Sequence, residues 1–147
     1  MIKMNLKRQF IDVHGFFSKN LKNVREILCN SRTFNFDELD YFDLIFIDGN
    51  HSYESILNDT EKTFNLRKDD KSIIVWHDYG FSPETVRFTT LKAILDGIPL
   101  SKHKNLYHIS NTLCAVYMEN CNLQTYYTEF PSVPNKKFSL TIKALKI

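Results

Sequence analysis

Two stretches of this 147-residue chain place metal-capable and proton-accepting side chains directly after short apolar runs. In the first, Leu44–Ile47 ends in Asp48-Gly49-Asn50-His51. In the second, Ile73–Trp76 ends in His77-Asp78-Tyr79. Asp48, His77 and Asp78 together offer two carboxylates and an imidazole to one divalent cation. Oxygen-rich donor sets favour Mg²⁺ or Ca²⁺, and a histidine leaves room for Mn²⁺, Fe²⁺ or Zn²⁺. His51 is placed to serve as a general base beside such an ion, because imidazole titrates close to neutrality. The same residues also have a plainer reading. Asp48 can cap the helix that follows, and His77-Asp78 can be a satisfied polar pair at a strand end. His14, His103 and His108 have no comparable company and are read as structural or exposed.

Positioning these groups requires strands and a crossover. Short continuous runs rich in Ile and Val are the pattern of strands buried on both faces of a parallel sheet. Between the runs, Tyr53–Leu66 is long enough for the crossover helix that parallel pairing needs. Its residues Tyr53, Ile56, Leu57, Thr60 and Phe64 share one face, with Asn50 or Ser52 as cap. In an open α/β sheet, ligands bind beyond the carboxyl ends of the strands. All four candidate residues fall at that edge.

The flanks are read more coarsely. Residues 1–23 form a lead-in with Phe10, Ile11, Val13, Phe16, Phe17 and Leu21 at roughly helical spacing, interrupted by Gly15. Val24–Cys29 reads as a strand ending in the turn formers Asn30-Ser31, and Phe34–Leu39 as a helical turn. Gly80 and Pro83 mark a loop before a helix over Glu84–Asp96, with Gly97 at its C-cap. Lys104–Ile109 and Thr112–Met118 read as a tight antiparallel hairpin around Ser110-Asn111. Residues 119–147 form a C-terminal extension in which Lys137–Leu145 alternates well enough for one more edge strand.

Composition narrows the function classes. One domain of this length buries a proper core, and 43% hydrophobic with 24% charged residues is ordinary for a globular protein. The net charge of +2 has its signs interspersed, so nothing points to nucleic acid or an anionic membrane surface. Cys29, Cys114 and Cys121 lack zinc-type spacing, and Cys29 and Cys114 read as small buried hydrophobes. No run approaches the ~18 apolar residues of a membrane span, and no signal-peptide pattern opens the chain, so the cytoplasm is the expected location.

With those motifs on the page, Phe42–Tyr79 resembles the class I S-adenosylmethionine-dependent methyltransferases. The match is to the branch with Asp-Gly-x-His after the fourth strand and Trp-His-Asp-Tyr after the fifth. Asn105–Met118 is similar to the sixth and antiparallel seventh strands of that fold. The resemblance implies a Rossmann-like α/β fold, mostly parallel, with an antiparallel C-terminal hairpin. It implies Mg²⁺ or a similar divalent metal at Asp48, His77 and Asp78, although His77 stands where an acid is often found. It further implies that His51 deprotonates the acceptor hydroxyl. Asp48 and Gly49, with Asn30 and Ser31 lining the adenine, would contact S-adenosylmethionine.

The chain departs from the family pattern upstream. No Gly-rich turn and no ribose-binding acid precede Val24, so the first two strands read as missing and residues 1–147 as a single truncated domain. S-adenosylmethionine binding by this chain alone is then expected to be negligible. Val24–Cys29 would become an open sheet edge, recruiting the N-terminal segment, a second copy or a completing chain. The leading expectation is a metal-assisted O-methyltransferase domain acting on a small-molecule or sugar hydroxyl. The alternative is a catalytically inactive remnant serving as a structural or interaction module. A metal-dependent hydrolase using Asp48 and Asp78 has no motif behind it.

Overall fold

The computed structural model describes Ser18, residues 20–83 and residues 85–121. The chain divides into two units, residues 1–30 and 31–147. Of the first unit, the stretch 21–30 holds no strand, and Val24, Ile27 and Leu28 are exposed. The strand expected at Val24–Cys29 therefore does not form. Among the described residues no neighbouring strand takes up its backbone groups, and an isolated strand is not stable in water. Cys29 is exposed rather than buried. The helix expected before it, with His14, and the strand expected at Lys137–Leu145 lie outside the described residues.

The second unit carries the regular structure. The expected helical turn near Phe34–Leu39 is a 3₁₀ turn at Phe36–Glu38, capped by Asn35, whose side chain accepts from the Asp37 amide. Strand β1 (Leu44–Ile47) pairs in parallel with β2 (Ile73–Trp76), in a register running from Leu44 beside Ile73 to Ile47 beside Trp76. Helix α1 (Tyr53–Phe64) makes the crossover between them. Strands β3 (Gly80–Ser82) and β4 (Thr85–Val86) form a small antiparallel hairpin, followed by helix α2 (Phe88–Gly97). A 3₁₀ segment at Leu100–Asn105 leads to β5 (Leu106–His108) and β6 (Ala115–Tyr117). The main sheet has the order β1-β2-β6-β5, with β6 antiparallel to both β2 and β5.

Three of the four strands thus point the same way, yet two of the three ladders are antiparallel. The mostly parallel sheet expected from the sequence holds for strand direction and not for pairing. Helix α2 starts later than expected because Gly80 and Pro83 bracket a hairpin instead of a loop. A side chain on Gly80 would meet the Ser82 carbonyl oxygen at 2.7 Å, so that crossing requires glycine. The β5–β6 connection is wider than a two-residue turn. Ile109 and Thr112 close it by an amide-to-carbonyl bond of 3.1 Å, with Asn111 at φ 63°.

Alternation along the strands sets the core. Ile45, Ile47, Ile74, Trp76 and Tyr117 are buried with Ile56 and Phe64 of α1 and Ala93 and Ile94 of α2. The other face of β1 is not covered: Leu44 is 63% and Phe46 57% exposed, against 9% for Ile45. The expectation of a strand buried on both faces fails at β1. Where β1 and β2 begin, a charged clasp closes the sheet. Glu119 accepts from Arg67 Nη1 (2.8 Å), Lys102 Nζ (2.5 Å) and the Tyr117 hydroxyl (2.5 Å). The Arg67 guanidinium lies over the Phe64 ring at 3.9 Å.

Candidate functional site

The parallel register does the first part of the positioning. Ile47 stands beside Trp76, and the His77 amide donates to the Ile47 carbonyl at 2.9 Å. Asp48 and His77 are therefore the next residues of both strands and emerge side by side at the carboxyl edge. Beneath them Trp76 is 1% exposed, and its indole N–H donates to Thr60 Oγ1 of α1 at 3.0 Å. The strand end is thus tied to the helix that follows Asp48.

Two local devices complete the arrangement. Asp78 has φ 52°, in the left-handed region that few non-glycine residues adopt. This turn of the chain brings the Asp78 carboxylate back toward the strand ends. On the other side, Asn50 Oδ1 accepts from the Ser52 amide at 2.8 Å, and Ser52 caps α1 by accepting from the Ser55 amide. Ser52 is the cap, so Asp48 is left available for other work. The short turn between Asp48 and Ser52 carries His51 toward Asp78, with Nε2 3.0 Å from Asp78 Oδ2.

His77 Nδ1 lies 3.4 Å from Asp48 Oδ1 and 3.3 Å from Asp78 Oδ1. Neither approach has hydrogen-bond geometry, and this buried nitrogen has no hydrogen-bond partner. A buried polar atom left in that state carries a cost. One donor atom from each of Asp48, His77 and Asp78 lies within 4.8 Å of the other two. Ligand atoms about 2.0–2.6 Å from a shared cation sit at such mutual separations. The donor set fits a hard or borderline divalent ion. The site is open, with Asp48 51%, His51 41% and Asp78 24% exposed at the side chain.

Of the residues singled out in the sequence, Asp48, Gly49, His51, His77 and Asp78 share this edge. Ser31 does not join them. Its carbonyl accepts from Lys62 Nζ at 3.0 Å, in the last turn of α1 and about 15 Å along the helix from Ser52. Asn30 is exposed and lies in no regular element. His103 receives a structural role, its Nε2 lying 2.9 Å from the Leu95 carbonyl and 3.2 Å from that of Ile98. His108 lies 3.1 Å from the Pro83 carbonyl and packs its ring on Tyr79.

One acid was not read from the sequence. Asp59 Oδ2 lies 3.3 Å from where a side chain on Gly49 would begin, so a further carboxylate packs under the turn after β1. Its only signal was its place two helical turns from the cap. Among the described residues no helix is long and apolar enough to cross a membrane.

The comparison with protein families matches a model described as a methyltransferase domain to residues 6–79, half of the chain. The match takes in β1, α1 and β2 and ends at Tyr79, just past Asp78. No curated protein and no solved structure gives a significant match.

Proposed function

Because the chain belongs to the methyltransferase-domain family of class I S-adenosylmethionine-dependent enzymes, we propose that it is a cytoplasmic, divalent-metal-assisted O-methyltransferase domain acting on a small-molecule or sugar hydroxyl. The observation that carries the metal assignment is the convergence of Asp48, His77 and Asp78, with the partnerless Nδ1 of His77 between two carboxylates. In this reading Asp48, His77 and Asp78 hold Mg²⁺ or Mn²⁺. When bound, the metal supplies Lewis-acid polarisation of the acceptor hydroxyl, and S-adenosylmethionine supplies a sulfonium methyl.

The chain's own residues do the proton chemistry. Asp78 Oδ2 orients the His51 ring through Nε2, so Nδ1 is the nitrogen left to accept the hydroxyl proton. Asn50 and Ser52 hold the turn that keeps His51 over the strand ends, and the Trp76–Thr60 bond holds the strand end below it. Orientation of this kind is a large part of what a methyl-transfer site provides, because attack on the methyl must be in line. The cofactor assignment rests on family membership, with Asp48 and Gly49 at the strand end as its contacts.

Isothermal titration with Mn²⁺ on the wild type, Asp78→Asn and His51→Gln tests the assignment. Asp78→Asn should weaken binding at least about tenfold, the scale on which altered metal surroundings act. His51→Gln should leave binding within about twofold while abolishing any transfer to hydroxyl acceptors. Equal Mn²⁺ affinity in the wild type and Asp78→Asn would refute the site.

A further inference from the structure

Helix α2 ends against the middle of α1. The helix runs through Gly97 and closes on Ile98, at φ −118°, so Gly97 is not the cap that the sequence pattern predicts. What requires glycine there is a close approach. A side chain on Gly97 would begin 2.7 Å from Thr60 Cγ2 and 2.8 Å from Thr60 Cβ. Carbon atoms rest at about 3.5–4.0 Å, so the overlap to be relieved is about 1 Å.

Thr60 is poorly placed to absorb that displacement. It is fully buried, and its branched Cβ leaves it few rotamers in a helix. Its Oγ1 holds the Trp76 indole N–H at 3.0 Å, and His77 follows Trp76 in the chain. The helices are also held against sliding apart. The hydroxyl of Tyr53, the first residue of α1, donates to Asp96 Oδ2 at 2.6 Å, and Ala93 and Ile94 of α2 are completely buried. A line of contact therefore runs from the last turn of α2 through Thr60 and Trp76 to His77. At its far end Nδ1 of His77 lies 3.4 Å from Asp48 Oδ1 and 3.3 Å from Asp78 Oδ1. Metal ligation tolerates errors of about 0.2 Å, and functional constellations about 0.5 Å. A displacement of about 1 Å at Gly97 exceeds both even when only part of it reaches His77.

We propose that Gly97 and Thr60 are positioning residues that act on the site through Trp76. The close approach of α2 at Gly97 fixes Thr60, Thr60 fixes the indole, and the indole fixes the His77 ring between Asp48 and Asp78. The inference rests on the proposed metal site for its Mn²⁺ readout and not for its metal-free ones.

Trp76 is the chain's single tryptophan, so fluorescence reports this contact directly. The test compares wild type, Gly97→Ala, Thr60→Val and Thr60→Ser, under conditions where denaturant unfolding shows each to be folded. Glu119→Gln serves as a destabilised variant placed elsewhere. Without metal, Gly97→Ala and Thr60→Val should shift the Trp76 emission and the His77 ring resonances in NMR. Both should weaken Mn²⁺ binding by roughly tenfold. Thr60→Ser keeps the hydroxyl and should leave all three readouts close to wild type, whereas Glu119→Gln should lose stability alone. If Gly97→Ala costs stability but leaves emission, His77 resonances and Mn²⁺ affinity unmoved, the close approach is packing only and the proposal falls. Should Gly97→Ala not fold, Thr60→Val decides by the same criteria. A wild type that binds no Mn²⁺ would refute the metal site instead. Shifted His77 resonances in the two variants would then still uphold the positioning, and unmoved ones would overturn it.

Discussion

Replacing Glu119 by Gln should destabilise the fold by an amount that depends on pH in a defined direction. Burial pushes the Glu119 carboxyl up, but hydrogen bonds from Lys102, Tyr117 and Arg67 outweigh it and hold the group down at about 2, from an ordinary 4.5. The side chain is 13% exposed, so screening by solvent is modest. A depression of that size corresponds to about 3 kcal/mol of stability when Glu119 is ionised. Gln keeps one acceptor oxygen for three donors, so the expected loss at neutral pH is about 2–3 kcal/mol. Because the folded value is lowered, the contribution is fully present above the unfolded value and fades as pH falls toward 2. Urea unfolding of wild type and Glu119→Gln should therefore differ most at pH 7 and converge between about pH 5 and pH 2. Mn²⁺ binding should be unchanged, since the clasp lies at the end of the sheet away from Asp48. A difference that stays constant across this pH range, or one below about 0.5 kcal/mol at pH 7, would show that the clasp is not electrostatic.

Two further substitutions probe what holds the strand end and the hairpin. Thr60→Val keeps the shape but leaves the buried Trp76 indole N–H without its acceptor, so a loss of about 1–3 kcal/mol is expected, with a shift in tryptophan fluorescence. Gly80→Ala puts a methyl 2.7 Å from the Ser82 carbonyl oxygen. It should cost about 1–3 kcal/mol in denaturant unfolding, and an unchanged midpoint would mean that the β3–β4 crossing relaxes freely.

The sequence by itself determined the parts that rest on local pattern. Two apolar runs separated by a helix-length linker dictated parallel β1 and β2 with α1 between them. The registration of those runs in the sheet, with Ile47 beside Trp76, then brings Asp48 and His77, both singled out from the sequence, to the same edge. The later pair of strands was legible for the same reason, as Leu106–His108 and Ala115–Tyr117 carry their own apolar alternation.

Tertiary structure decided what depends on partners distant in sequence. Val24–Cys29 has strand composition, but a strand exists only where a neighbour accepts its backbone bonds, and the described residues supply none. Leu44–Ile47 has the composition of a strand covered twice, yet among the described residues helices pack only on its Ile45 and Ile47 side. The left-handed backbone of Asp78, the approach of His51 to it, and the Glu119 clasp joining residues 67, 102, 117 and 119 left no periodic trace. Each is set by where separate elements meet, and short-range spacing carries no information about that.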